Sequence, residues 1–435
     1  MIYIKSVWLE NLNIREFQKL EGDQKTDILI IGGGIAGVLC AYFLNRLGVD
    51  YMLVEGQRIG MGITKNTTAE LTFQHGLIYD KLIKKFGKML AKQYLEANKS
   101  ALETYKLLCH DIDCDFEEKS AFTYSIYGKE KIENEIRALE KLEYNAEFVS
   151  EIPFPFKISG AVKFQNQAQF NPLKFFSKIS ENLNIYENTF VRDIQGNTAF
   201  TDHGKITTKK IIVATHFPFI NTHGLYFLKM YQERSYVVAV ENAPNVGGMY
   251  LNEAENGMYF RNYKDLLFIG GGDHRTGKKG GTYNEIREFI KKYYPESKEK
   301  YSWATQDCMT LNRVPYIGQY SKNTPDLFVA TGFNKWGMTS SMVAAQILCD
   351  LVFEKKNDFA EIFSPSRSIF KLQLFINLGE ILKTFVTPTA PRCPHLGCPL
   401  KWNKCERSWD CPCHGSRFEK DGKLIDNPAM EDANV

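Results

Sequence analysis

Four side chains with the chemistry of metal ligands lie close together near the end of the 435-residue sequence. Cys393 and His395 form a Cys-x-His pair, and Cys411 and His414 form a Cys-x-x-His pair after fifteen intervening residues. Two thiolates and two imidazoles are ligands for zinc or for an iron–sulfur cluster. The stretch therefore predicts a metal centre with Cys393, His395, Cys411 and His414 as its ligands.

The spacing favours a Rieske [2Fe–2S] centre, in which one iron takes both thiolates and the other takes both imidazoles. Zinc modules usually use Cys-x-x-Cys and His-x(3–5)-His pairs, and zinc remains the alternative. The string CPHLGC…WDCPCHGS closely resembles high-potential Rieske proteins. That resemblance implies a disulfide between Cys398 and Cys413 that ties the two ligand loops together.

Two other positions are interpreted through the same resemblance. Ser416 matches a serine that hydrogen-bonds a cluster sulfur, whereas Phe418 replaces a tyrosine that donates a second hydrogen bond. Losing one hydrogen bond is expected to lower the reduction potential of the cluster. Cys405 has no role in the pattern and is interpreted as a spare thiol.

A glycine motif near the N-terminus predicts a dinucleotide site. Gly32, Gly34 and Gly37 form G-x-G-x-x-G between an apolar, β-branched run and a helical pattern, and Glu55 closes the next strand. Such glycines permit a tight turn, close approach of a pyrophosphate and close helix–strand packing. The helix N-terminus favours the phosphates, and the acid accepts hydrogen bonds from a ribose diol.

Five pieces of the chain, in order, resemble the D-amino-acid oxidase/glycine oxidase superfamily of flavoproteins: DILIIGGGIAG, LVEGQRIGMGIT, KKIIVATH, VPYIG and FVATGFNKWGMT. The resemblance implies that the dinucleotide is FAD, with its ring between a nucleotide domain and a substrate domain. The cofactor-binding residues that it implies are Gly32, Gly34, Gly37, Glu55, Arg58, Thr64, Thr67, Thr68, Gly337, Met338 and Thr339. The threonines have a second interpretation, as a polar loop with a helix N-cap.

The order of helical and strand patterns predicts an α/β fold with three parts. A discontinuous FAD-binding, Rossmann-like domain takes residues 1–75, 150–230 and 310–355. An interleaved α+β substrate domain takes residues 76–149 and 231–309. A helical linker follows at 356–388, with an amphipathic helix over 368–386 that is expected to pack on the body, and a shortened all-β Rieske module takes 389–435.

Composition argues against several functional classes. The chain is 44% hydrophobic and 24% charged with a net charge of +3, which is typical of an ordinary globular protein and not of a nucleic-acid-binding one. The N-terminal stretch has charges where a signal peptide would be apolar, and no run suffices for a transmembrane helix, so we expect no stable membrane insertion and a cytoplasmic location. The remaining cysteines are interpreted as reduced, buried thiols: Cys40, Cys109, Cys114, Cys308 and Cys349.

A flavin that takes two electrons and a cluster that passes one at a time together predict an electron-transferring enzyme. We expect hydride transfer from an amine or amino acid to FAD, followed by single-electron steps through the cluster to an external acceptor. One alternative is a reductase that receives electrons through the cluster. The other is a non-enzymatic flavoprotein in which the cluster senses redox state or serves as a structural clamp.

Substrate preference is predicted from one position. Aligned without gaps, Asp307 stands where glycine oxidases carry an arginine for the substrate carboxylate, so an amine is favoured over an acid. The alternative is that Asp307 turns away and pairs with Arg313. Further candidates for the substrate wall and flavin face are Arg261, His274 and Trp336, with His75, Tyr259 and Lys335 beside them.

Overall fold

The computed structural model describes residues 5–10, 12–367 and 390–435. The α-helices in these ranges are α1 (Ile35–Arg46), α2 (Tyr79–His110), α3 (Lys129–Lys141), α4 (Pro172–Ser180), α5 (Tyr226–Lys229), α6 (Tyr283–Tyr293), α7 (Gly337–Leu351) and α8 (Ala360–Phe363). The strands are β1 (Gln24–Ile31), β2 (Tyr51–Val54), β3 (Glu70–Leu71), β4 (Glu117–Ser125), β5 (Glu147–Val149), β6 (Gly160–Gln169), β7 (Ile185–Tyr186), β8 (Val191–Gln195), β9 (Thr198–Thr201), β10 (Gly204–Val213), β11 (Met230–Glu241), β12 (Gly248–Asn252), β13 (Tyr259–Tyr263), β14 (Leu266–Arg275), β15 (Lys298–Thr310), β16 (Tyr316–Gln319), β17 (Leu327–Thr331), β18 (Lys401–Asn403), β19 (Ser408–Asp410), β20 (Arg417–Phe418) and β21 (Leu424–Asp426).

The first sheet has the strand order β16-β17-β10-β1-β2-β7, with β9 beside β10 and β8 beside β9, and its edge strands β16, β9 and β8 pair antiparallel. Its central strands β1, β2, β10 and β17 pair in parallel. Strand β1 is apolar on both faces because α1 and α7 pack together on one side while a second apolar cluster covers the other. This arrangement brings the carboxyl ends of β1, β2 and β10 to one edge of the sheet.

The second sheet is mainly antiparallel, in the order β15-β11-β14-β13-β12-β4-β6-β3, with β5 paired to β6. Strands β11 and β13 each pair antiparallel with β14. Strands β3 and β6 belong to this second sheet, whereas the sequence predicts that residues 1–75 and 150–230 belong to the nucleotide domain. Strand β6 instead pairs with β4 over nearly its whole length, and β3 adds to its outer edge.

The C-terminal residues form a separate sheet of four short strands in the order β18-β19-β20-β21. Its small core contains four cysteines together with Leu400 and Phe418. The predicted α/β fold class with a small all-β module is confirmed, whereas the predicted helix over 368–386 lies outside the described residues. Among the helices that the structure describes, none combines the length and apolarity needed to cross a bilayer.

Candidate functional site

A cavity of about 790 Å³ lies at the carboxyl ends of β1, β2 and β10. Three regions of the chain line it: the glycine turn after β1, the inner face of the second sheet, and the C-terminal module. Crevices at the carboxyl ends of parallel strands are where open α/β sheets bind their ligands. The cavity therefore joins the predicted dinucleotide site to the two other predicted parts of the fold.

The glycine turn has the close contacts that its sequence predicts. Gly32 has φ +111°, and a Cβ there would lie 2.6 Å from the carbonyl oxygen of Ala214 on the adjacent strand. A Cβ on Gly37 would lie 1.9 Å from the carbonyl oxygen of Gly32, so only glycine lets α1 approach the turn. Gly34 caps α1 and lines the cavity, which directs the N-terminus of the helix towards a bound anion.

Glu55 lies at the end of β2, beside this turn. Its carboxylate accepts hydrogen bonds from the amide nitrogens of Gly33 at 2.7 Å and Gln57 at 2.8 Å. Burial raises the pKa of Glu55, while these two amides act in the opposite direction. The group lines the cavity and has lone pairs left for a ribose diol, so the residues present fit the adenosine end of FAD.

The predicted phosphate and ring residues lie in two parts of the chain, the segment after β2 and the start of α7. Arg58, Thr64, Thr67 and Thr68 line the cavity. The Thr64 hydroxyl accepts from the amide of Ile35 at 3.1 Å, as a cap on α1, and the Thr67 hydroxyl accepts from the amide of Ala69 at 3.0 Å. The Arg58 guanidinium forms ion pairs with Glu16 at 3.0 Å and, more weakly, with Glu187 at 3.8 Å.

The first residues of α7 face the same cavity. Gly337 and Met338 line it, whereas Thr339 is buried behind them and its hydroxyl lies 3.0 Å from Nε2 of His75. The His75 ring stacks on Trp336 with centroids 4.7 Å apart, and burial lowers the pKa of His75 to about 3. Trp336 is thereby fixed at the cavity wall by a neutral imidazole.

Two of the other catalytic candidates lie away from the cavity. Arg261 is fully buried, and its guanidinium donates to the carbonyl oxygens of Thr68 at 2.6 Å and Ala69 at 2.8 Å, so it supports the threonine segment from behind. His274 stacks on Tyr236. Successive residues of a strand point to opposite faces, and its neighbour Asp273 is the one that reaches the cavity.

Asp307 lines the cavity, and it belongs to an acidic cluster that includes Glu233 and Asp273. The pairing of β11 with β15 sets Glu233 directly opposite Asp307. Burial raises the pKa of Asp307 to about 7, although Lys335 acts against it. The ion pairs of Arg313 are with Glu233 and Glu255, both at 3.8 Å, rather than with Asp307.

Lys335 is the cation of this cluster. Its ammonium lies 2.7 Å from Asp273 and 3.0 Å from Glu233. Burial lowers the pKa of Lys335, but these carboxylates outweigh it and keep the amine charged. Sequence reasoning missed Glu233 and Asp273 because only the strand register, which is not written in any local motif, brings them to one face with Asp307.

The predicted cluster ligands come together in the C-terminal module. The rings of His395 and His414 lie 4.9 Å apart at 88°, and the Nδ1 atom of each is buried with no hydrogen-bond partner. Burial lowers the pKa values of these imidazoles to about 3 and about 4, so both are neutral, as metal ligation requires. Hydrogen bonding from Cys393 contributes most to lowering the pKa of Cys411.

Two orphaned imidazole nitrogens beside paired thiols fit a centre with two histidine and two cysteine ligands. The sulfur atoms of Cys398, Cys411 and Cys413 lie within 4.8 Å of one another. All ten cysteines are free thiols in the structure, so the Cys398–Cys413 disulfide stays a prediction. Cys405 is exposed, whereas the five scattered cysteines of the body are buried, as expected.

The module is docked on the body through buried polar side chains. Gln232 donates to the carbonyl oxygen of His414 at 2.9 Å, and Gln306 donates to that of Gly415 at 2.9 Å. Arg234 on β11 is 3% exposed and forms a bidentate ion pair with Glu406 of the module. Both glutamines are also buried, which makes this face of the body an interior surface.

One short segment touches both candidate sites. Thr215 and His216, just after β10, line the cavity. The next residue, Phe217, has its ring centroid 6.5 Å from that of His395 and 6.4 Å from that of His414, edge-on in both cases. Consecutive residues of one stretch of chain therefore line the cavity on one side and contact the predicted histidine ligands on the other.

Comparison with known proteins adds two family matches and several relatives. Residues 27–351 match the family model described as FAD dependent oxidoreductase, and residues 379–435 match that of the Rieske [2Fe-2S] domain. A Bacillus subtilis protein described as a Rieske 2Fe-2S iron-sulfur protein, YhfW, is 34% identical across 98% of this chain and 96% of its own. The gamma-glutamylputrescine oxidoreductase of Escherichia coli is 24% identical across 77% of this chain and 85% of its own. Among solved structures, glycine oxidase from Geobacillus kaustophilus has a TM-score of 0.67 at 18% identity, covering 80% of this chain and all of that one.

Proposed function

Because this chain belongs to the FAD dependent oxidoreductase family and ends in a Rieske [2Fe-2S] domain, we propose that it oxidises an amine and delivers the electrons singly. The bond that is oxidised is the C–N bond of an amine or amino-acid-like molecule. Bound FAD supplies a two-electron acceptor, and the [2Fe–2S] cluster supplies a one-electron carrier to an external partner. The 34% identical relative, matched over nearly its whole length, is itself described as a Rieske 2Fe-2S iron-sulfur protein.

The observation that carries the proposal is the shared segment at residues 215–217. Thr215 and His216 line the FAD cavity, and Phe217 contacts the rings of His395 and His414. Asn427 of the module strengthens this junction by donating to the carbonyl oxygens of Thr215 at 2.5 Å and Phe217 at 2.9 Å. A cluster that served only as a remote clamp would not need its ligand rings against the cavity wall.

The charge of the cavity supports an amine as substrate. Asp273, Glu233 and Asp307 line it, and Lys335 pairs with the first two. A substrate carboxylate would meet this excess of negative charge, whereas an ammonium group would be attracted by it. One carboxylate oxygen of Asp273, Oδ1, is buried without a hydrogen-bond partner, which leaves an acceptor for an N–H donor. The relative that acts on gamma-glutamylputrescine agrees with this preference.

Anaerobic mixing with panels of primary amines, secondary amines and amino acids tests the substrate class. We expect amines to bleach the flavin absorption and amino acids to do so weakly or not at all. Asp307→Arg should reverse that order by adding a partner for a carboxylate. If amino acids bleach the wild-type flavin better than every amine, the cavity charge has been misinterpreted.

Stopped-flow spectroscopy with a reactive amine tests the relay. Phe217→Leu should leave flavin reduction at its normal rate while slowing the subsequent reduction of the cluster, since its ring lies between cavity and ligands. Phe200→Leu, on the exposed face of β9, is the matched control and should change neither step. If substrate bleaches the flavin while the wild-type cluster stays oxidised, the relay is refuted. Electrons from a reduced ferredoxin that reach the flavin without substrate would favour the opposite direction of flow.

A further inference from the structure

A short piece of the C-terminal module forms part of the wall of the FAD cavity. We call residues 424–430 the closing segment. The members that line the cavity are Leu424, Ile425, Asp426, Asn427, Ala429 and Met430. They share the cavity with the glycine turn and with Glu55, which belong to the body of the protein. The FAD site is thus completed by residues that lie beyond the ligands of the cluster in the sequence.

The closing segment is attached to the body at its middle and at its C-terminal end. Asn427 donates two hydrogen bonds to the segment after β10, and its own carbonyl oxygen accepts from Gln232 at 2.9 Å. At the C-terminal end, Arg192 donates to the carbonyl oxygen of Met430 at 2.8 Å. Arg192 follows Val191, which also lines the cavity. These bonds hold the closing segment at a fixed distance from the dinucleotide site.

The same segment is attached to the ligand loops of the cluster. The Ser416 hydroxyl accepts from the amide of Ala429 at 2.9 Å, and the carbonyl oxygen of Ser416 accepts from the amide of Cys411 at 2.8 Å. Arg417 forms an ion pair with Asp426 at 3.1 Å. Ser416 and Arg417 directly follow the Cys411–His414 loop, so the position of the closing segment depends on the fold of that loop.

We propose that FAD binding and cluster assembly are coupled through the closing segment, so that each cofactor strengthens retention of the other. A metal centre cross-links its ligand loops and contributes its binding free energy to their folding. The free-energy cost of binding is lower when the wall of the site is already ordered than when the ligand must order it. Any such coupling is reciprocal by thermodynamic necessity. The inference goes beyond the relay, because it would hold even if no electron passed between the two centres.

Asn427→Ala in the full-length protein is the sharpest test. FAD is removed while the cluster is kept, iron content and the visible spectrum of the cluster are checked, and FAD is then titrated by quenching of flavin fluorescence. With two anchoring hydrogen bonds lost, we expect the dissociation constant for FAD to rise about tenfold. Asn197→Ala is the matched control, since it removes one exposed asparagine-to-carbonyl hydrogen bond outside the cavity and should change nothing.

The reciprocal arm measures iron release to a chelator. In the wild-type protein, saturation with FAD should slow the release of iron severalfold, and Asn427→Ala should reduce this protection. If Asn427→Ala loses its iron during purification, the comparison is made in the wild-type protein, which should release iron faster without FAD than when saturated with it, and equal rates contradict the coupling. The inference is overturned if iron-replete Asn427→Ala binds FAD with wild-type affinity, or if FAD leaves the rate of iron release unchanged.

Discussion

Replacing Asp307 by asparagine should stabilise the protein at slightly alkaline pH while impairing its use of amines. The side chain lies on β15 in the cavity wall, where Lys335 already has two carboxylate partners at 2.7 Å and 3.0 Å. Because Lys335 already has these two partners, the carboxylate of Asp307 adds little to stability, and we infer that it serves function. The charged groups that act on it are Lys335, Asp273, Glu233 and Arg234.

The magnitude follows from the shift in pKa. Burial first, and then the repulsion of Asp273 and Glu233, raise the pKa of Asp307 from 3.8 to about 7. A group whose pKa is raised on folding contributes stability below its unfolded pKa and loses it as pH rises through the folded value. A shift of three units corresponds to about 4 kcal/mol if fully expressed, and we expect about 1–3 kcal/mol after solvent screening.

The assay compares the melting temperatures of the wild-type holoenzyme and Asp307→Asn between pH 4 and pH 8. The variant should be nearly equal to wild type near pH 4 and should gain about 1–3 °C by pH 7.5 for a chain of this length. For the same reason, wild-type kcat/KM for an amine should rise as pH increases through about 7, and this rise should vanish in the variant. A stability difference that is constant with pH, or that favours wild type at alkaline pH, would refute the reasoning.

Three other substitutions test separate parts of the structure. Gly37→Ala places a Cβ 1.9 Å from the carbonyl oxygen of the first glycine of the turn, so the purified protein should lack flavin absorption. Glu406→Gln leaves the buried Arg234 without its carboxylate and should cost about 3–5 kcal/mol in unfolding experiments, whereas the exposed Glu354→Gln should cost less than about 1 kcal/mol. Phe418→Tyr restores the hydroxyl of high-potential relatives and should raise the potential of the cluster by the order of tens of millivolts in a redox titration; an unchanged potential would show that the hydroxyl does not reach the cluster.

The sequence was informative where chemistry depends on short spacing. The glycine turn spans six residues and the two ligand pairs span three and four, so their geometry is set by local backbone structure. The positions of Arg261 and His274 depend instead on which face of a long strand each occupies. Arg261 supports the threonine segment from behind and His274 packs on Tyr236, although both lie on strands that build the cavity wall.

The acidic cluster shows the same limit of sequence reasoning, here for residues that the sequence did not single out. Glu233 and Asp307 are cross-strand partners separated by more than seventy residues of sequence, and Asp273 joins them from β14. No local pattern marks such a set, because each carboxylate alone is an ordinary polar residue of a strand. The alignment position of Asp307 was the only available signal, and it led to one member of the cluster.

The docking face explains why the C-terminal module is a permanent part of this molecule. Gln232 and Gln306 are 1% and 0% exposed, and their amide groups donate to carbonyl oxygens of the ligand loop. Separating the module would expose these amides to water and break their hydrogen bonds and the ion pair of Arg234 with Glu406, at about 0.5–1.5 kcal/mol for each hydrogen bond lost. A surface with these requirements is not suited to a domain that swings between positions. In the proposed relay, electrons therefore leave from a cluster that stays docked, and the external acceptor comes to it.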